Sequence, residues 1–194
     1  MKPATPPALP IMSFETDAAW DSWLDANGST SSGIWLRIAK KDAGERSVTY
    51  DEALETALCH GWIDGLKHPH DALSWLQKFT PRGPKSRWSK RNTEKVERLI
   101  KERRMKPAGL AAVALARTDG RWEEAYDSPG KAEPPPDFLA AMRKNKKALA
   151  FFATLNAANR YAFIYRVQTA RRTETRTRKI RELVEMLERQ EQFH

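Results

Sequence analysis

All seven tryptophans of the chain lie at or before Trp122, and soon after the last of them the sequence runs into "SPGKAEPPP", residues 128–136. Proline fixes φ and brings no backbone N–H, so this tract continues neither a helix nor a central strand and serves as a stiff connector. The break predicts an N-terminal domain over residues 1–128, a Pro-rich linker over 129–136 and a C-terminal domain over 137–194. With 194 residues the chain is long enough for one ordinary domain and a smaller companion.

Before the break, helix and strand patterns alternate. Thr16 is placed to cap a short helix that presents Trp20, Trp23 and Leu24 at i, i+3, i+4, with Asn27-Gly28 at its end. "GIWLRIA", residues 33–39, sets Ile34, Leu36 and Ile38 against Trp35 and Arg37, which is strand spacing. "TYDE", Thr49 to Glu52, is a capping box that opens a helix burying Leu54, Ala57 and Leu58. "WIDGLK" and "LSWLQKF" read as the arms of a hairpin, with "HPHD" as the turn. Asn92 is placed to cap a helix that turns Val96, Leu99 and Ile100 inward, and Pro107 to begin another that Asp119-Gly120 ends. After the break everything reads as helix, with Asp137, Asn156 and Thr173 expected as caps and Asn145 expected to interrupt the first segment before "KKALAFFATL". The expected fold class is α+β: a small antiparallel sheet with packed helices, followed by a C-terminal all-helical unit.

No apolar run approaches the length of a membrane span, so membrane insertion is not expected. The first residues, "MKPATPPALPIMSF", lack the apolar stretch of a secretory signal. Cys59 is the sole cysteine, which excludes an internal disulfide and a Cys-rich metal cluster and makes a reducing, cytoplasmic compartment the default. The net charge of +9 is unevenly placed: residues 1–77 carry −5, 78–106 carry +9, 107–136 carry −2 and 137–194 carry +7. Two basic blocks on an otherwise acidic chain point to an anionic small molecule, an acidic protein or a nucleic acid as partner, or to solvated helix faces.

"ALCHGWIDG", residues 57–65, spells catalytic letters. Adjacent helical residues diverge by about 100°, so Cys59 and His60 do not face each other on a helix. A structural thiol is the expectation. His68 and His70 lie two apart, but their spacing to Cys59, His60 and Asp71 fits no closed zinc pattern, and Pro69 marks a turn; no metal and no cofactor is expected. "FTPRGPKSRWSKRN", residues 79–92, gathers Arg82, Lys85, Arg87, Trp88, Ser89 and Asn92 ahead of a helix start, a composition suited to an anion. "RRTETRTRKIRE", residues 171–182, gives Arg171, Arg172, Arg176 and Lys179, with Arg160 upstream, as polyanion contacts. Asp17, Asp21 and Asp25 step at i, i+4, i+8 and read as a solvated stripe. Dinucleotide, Walker, nucleophile-elbow and zinc-protease motifs are absent.

Several stretches resemble the bacterial YdeI/OmpD-associated family, whose members are often labelled bacteriocin-protection proteins: "GIWLRIAKK", "SVTYDEALETALCHGWIDG", "FTPRGPKSRWSKRNTEKVERLI", "RMKPAGLAAVALARTDGRWEEAYDSP" and the tail from "FFATLNAANRYAF" through "RRTETRTRKIRELVEML". The resemblance runs from about Trp20 to the C-terminus. It implies a protective role against peptide antibiotics or association with an outer-membrane porin, and no established catalytic activity. Within it, the family's "GWID" falls on Gly61, Trp62, Ile63 and Asp64, and its tail on Asn159, Arg160, Glu174, Thr175 and Arg176. In the family the position of His60 is often aromatic and the His68/His70 pair is missing, which weakens the thiol and metal readings further.

The expected function is therefore a non-enzymatic, cytoplasmic binding or stress-protection protein with a basic, Trp-lined, anion-accepting cleft. Trp62 and Asp64 are expected to border that cleft near Arg82, Arg87, Trp88 and Asn92. The alternatives are nucleic-acid binding through the basic C-terminal helices and an enzyme acting on a small phosphorylated or glycosyl substrate.

Overall fold

The computed structural model describes residues 9–41, 43–127, 132–170 and 172–193. They form two compact units, Met1–Trp88 with Asn92–Glu124, and Ser89–Arg91 with Ala125–His194.

The first unit holds a four-stranded sheet in the order β1-β2-β4-β3, with β1 at Ile11–Met12, β2 at Ile34–Ala39, β3 at Trp62–Pro69 and β4 at Ser74–Pro81. The three long strands are antiparallel, as the alternation predicts; the two-residue β1 adds to β2 in parallel, too short to leave a periodic signal. Register sets Ile34 opposite Phe79, Leu36 opposite Gln77 and Ile38 opposite Trp75 on one face. Helices α1 (Asp17–Asn27) and α2 (Tyr50–Cys59) belong to the same unit. Their starts follow from local chemistry: Thr16 accepts from Ala19 N–H, and Thr49 with Glu52 completes the capping box. Trp20 ties the layers together, donating from Nε1 to the Ala53 carbonyl at 3.1 Å and packing 5.8 Å from the Phe79 ring. Helices α3 (Lys90–Lys101) and α4 (Pro107–Thr118) follow.

Two local expectations shift. The hairpin turn is not "HPHD": β3 runs on through His68 and Pro69, and the connection is residues 70–73. Asp71 organises it, its Oδ1 accepting from Leu73 N at 2.9 Å and Ser74 N at 2.6 Å. Pro69 is tolerated because β3 is an edge strand. Between Asp64 and Lys67 the register slips, and Gln77 Nε2 donates to the Gly65 carbonyl at 2.9 Å inside that bulge. Asn92 does not cap α3; the helix already runs at Lys90, and Asn92 is a buried residue of its first turn.

The second unit is helical: α5 (Pro136–Arg143), α6 (Lys146–Thr154), α7 (Ala157–Gln168) and α8 (Thr173–Glu188). Phe138, Phe152, Phe163, Leu183 and Leu187 fill its core. Asn156 caps α7 as expected; Asn145, where an interruption is expected, caps α6; and Thr173 is the first residue of α8 rather than its cap, which is Arg172. Asp137 is a first-turn residue rather than a cap, because α5 begins one position earlier at Pro136. Among the described residues no helix is long and apolar enough to cross a membrane.

Candidate functional site

The thiol of Cys59 sits at the last position of α2 and is 3 % exposed. Burial pushes it up to about 11, so it is not a poised nucleophile. His60, next in the chain, turns away from it. Its Nε2 lies 2.8 Å from Asp21 and its Nδ1 3.8 Å from Asp25, both on α1. Lys106 Nζ reaches the same two carboxylates at 3.5 and 3.0 Å. Burial works against the charge on Asp21, but the hydrogen bond from His60 and the charge of Lys106 hold its carboxyl below the ordinary value. Asp21, Asp25 and His60 have metal-ligand spacing, yet the Lys106 ammonium already supplies a cation there. So the acidic residues of α1 are more than a solvated stripe: they anchor the end of α2 and the start of α4. The signal that sequence reasoning missed is charge complementarity between distant segments.

The same complementarity engages much of the +9 block. Lys95 pairs with Glu55 at 2.9 Å, Arg98 bonds Glu55 and Glu102, and Arg104 reaches Glu55 at 3.4 Å. Burial opposes the charge on Glu55, and Lys95 and Arg98 outweigh it, leaving its carboxyl below the usual range.

The residues expected to line a cleft are placed as follows. Trp62 is 1 % exposed, packed edge-on against Trp20 and Trp23, with Nε1 donating to the Gly28 carbonyl at 3.1 Å. Trp88 is likewise 1 % exposed, 4.8 Å from the Trp122 ring, with the Arg82 guanidinium 3.5 Å above it. Arg82 Nη1 donates to the Arg87 carbonyl at 2.9 Å, and Arg121 Nη1 to the Ser86 carbonyl at 2.7 Å. The two indoles sit in different aromatic clusters and neither meets solvent, so neither offers a face to a ligand. Lys85 is exposed, Arg87 half-buried and Asn92 buried, while Ser89 forms an isolated bridge with Tyr126. Residues 82–88, between β4 and α3, are held by Arg82 and Arg121 on the Arg87 and Ser86 carbonyls and by the buried Trp88. Asp64 is half-buried, and its Oδ2 accepts from the Tyr50 hydroxyl at 2.7 Å.

Tyr50 leads to a groove that the sequence reading passed over. Its ring lies 6.1 Å from Trp75, a half-buried residue of β4 at the end of the sheet face that carries Ile34, Leu36 and Phe79. One lobe, about 660 Å³, is lined by Lys40, Lys41, Lys67, Pro69, Asp71 and Trp75 among others. A second, about 420 Å³, shares Ala39, Lys40, Lys41 and Trp75 and adds Tyr50 and Glu45. Lys67 Nζ stands 4.1 Å over the Trp75 ring. Lys40 Nζ donates to the Asp71 and Ala72 carbonyls at 3.0 and 2.9 Å. Asp71 is held below the ordinary carboxylate value by hydrogen bonds from the Ser74 side chain and from the Leu73 and Ser74 N–H groups. The available sequence signal was period two on β4, which puts Trp75 on the same face as Phe79.

In the second unit, Arg176 is engaged internally. Its Nε and Nη2 bond Asp137 at 2.6 and 2.9 Å, and Nη1 donates to the Val167 carbonyl at 2.7 Å. Lys179 pairs with Glu182 at 3.0 Å. Arg160 and Arg172 are exposed, and Arg171 lies outside the described residues.

Residues 12–112 match the model of a domain of unknown function, DUF8412. Residues 131–190 match the model described as bacteriocin-protection, YdeI or OmpD-associated. No curated protein and no solved structure matches the chain.

Proposed function

The chain belongs to the DUF8412 domain family over residues 12–112 and is a YdeI/OmpD-associated protein by residues 131–190, and from that premise we propose a cytoplasmic, non-enzymatic binding and stress-protection role in which the N-terminal unit takes an anionic small molecule. The groove at Trp75 carries this reading. Its lobe of about 660 Å³ is of ligand-pocket size, and three lysines and one carboxylate line it. That carboxylate, Asp71, is directed into its own hairpin connection. Binding fits the groove better than catalysis: of its carboxylates, Asp71 is tied to its own hairpin connection and Glu45 to the Arg37 guanidinium. A lone reduced thiol suits the cytoplasm.

A thermal-shift titration with pyrophosphate tests the reading. A ligand that binds only the folded state raises the melting temperature by mass action, by about 2.7 kcal/mol of stabilisation at 100 times Kd. The expected result is a rise that the double variant Lys41→Gln/Lys67→Gln abolishes while retaining the unliganded melting temperature. An equal rise in the variant moves the site elsewhere.

A further inference from the structure

We infer that the groove is selective for an anion carried on an aromatic ring, of the aryl phosphate class, with Lys67 serving as both the anion contact and the cover of the ring platform. The inference rests on the reading above that the groove accepts anions.

The Lys67 ammonium, 4.1 Å from the indole centroid, shows that this face of Trp75 is covered by an exposed, movable side chain rather than by the core. Lys67 is exposed and carries no ion pair among the described residues, and its ammonium rests on the indole. That contact is worth about 0.5–1 kcal/mol at an exposed site. A phosphate dianion competes with it easily, since charge-assisted hydrogen bonds are about twice as strong as neutral ones. Lys40, already fixed by two backbone carbonyls, keeps one of its three donors for the same oxygens, and Lys41 stands beside it on both lobes. As Lys67 swings to the anion it bares Trp75. An aromatic body attached to the phosphate then takes the vacated face by stacking, with Tyr50 as the second aromatic wall. Asp64, bonded to the Tyr50 hydroxyl, holds that wall in place.

Neutral aromatics meet a covered platform, inorganic anions have no body to stack, and a cationic peptide meets three lysines. The groove therefore discriminates by rewarding both halves of the ligand, and an inorganic anion binds through its charge alone, more weakly.

Calorimetric titration of the full chain with phenyl phosphate, inorganic phosphate and benzyl alcohol tests this. Phenyl phosphate is expected to bind at least tenfold tighter than either of the others. Lys67→Gln is expected to weaken phenyl phosphate about tenfold and to strengthen benzyl alcohol, because the indole is uncovered. Trp75→Leu is expected to reduce phenyl phosphate to the level of inorganic phosphate. Lys67 is exposed, so its variant remains informative if Trp75→Leu fails to fold. Lys85→Gln, on the exposed loop, serves as the charge control and is expected to change nothing. Equal affinity for inorganic and phenyl phosphate, still dependent on Lys67, overturns the aromatic requirement while leaving anion binding intact. No binding of any anion overturns both readings.

Discussion

Asp137 and Arg176 show what a single pair does in this chain. The guanidinium grips both carboxylate oxygens and a backbone carbonyl of α7, so one side chain joins α5, α7 and α8. The Arg176 hydrogen bond is the first cause that holds Asp137 below its ordinary value. A carboxyl lowered by folding stabilises the folded state above its unfolded pKa, about 3.9, and that stability is lost as pH falls through the lower folded value. Asp137→Asn is therefore expected to lower the urea midpoint at neutral pH and to flatten the loss below about pH 4, so that the two proteins converge in acid. A constant difference across that range would mean the carboxylate charge is not what matters. Residues of this kind divide cleanly by legibility. Thr16, Thr49 and Asn156 were readable because a cap bonds within three residues of itself. His60 with Asp21, 39 residues apart, was not, and neither was the pairing of Arg176, expected as a polyanion contact, with Asp137, equally far away.

At the scale of elements, the contact between α2 and α4 is set by backbone rather than side chains. Lys106 N donates to the Cys59 carbonyl at 3.0 Å, bringing the start of α4 onto the end of α2. Gly109 sits so close that an added Cβ would collide with that same Cys59 carbonyl, and Gly61, at φ 73°, leaves no better room against Ala108. Gly→Ala within a helix ordinarily stabilises by about 1 kcal/mol. Here the obstacle is a hydrogen-bonded backbone oxygen, and overpacking of this sort costs about 1–3 kcal/mol. The second effect wins: Gly109→Ala is expected to destabilise, seen as a lower denaturant midpoint at unchanged slope. A gain in stability would show that α4 slides away freely. Helix existence and strand alternation were legible here because each is a local period. The bulge at Gly65–Leu66 and the Asp71 connection were not, because Gln77 and the partner strand decide them.

Over the whole molecule, charge is sorted rather than merely excessive. The −5 of residues 1–77 and the +9 of residues 78–106 meet in the first unit through Asp21, Asp25 and Glu55. A count of basic residues therefore overstates the surface available to a polyanion, and the same holds for the C-terminal +7. Of Arg160, Arg171, Arg172, Arg176 and Lys179, Arg176 is gripped by Asp137 and Lys179 by Glu182. Each neutralised phosphate of duplex DNA contributes about −0.9 to the slope of log K against log salt. Five free cations would give a slope of about −4.5, and holding Arg176 and Lys179 makes it shallower by about 1.8. Binding of random-sequence duplex, followed by fluorescence anisotropy from low to moderate salt, is expected to show the shallower slope. Arg176→Gln should lower stability and leave that slope unchanged, because the guanidinium is already held at three points by its own unit. A slope of −4 or steeper that Arg176→Gln reduces by about one would place Arg176 on the DNA instead of on Asp137.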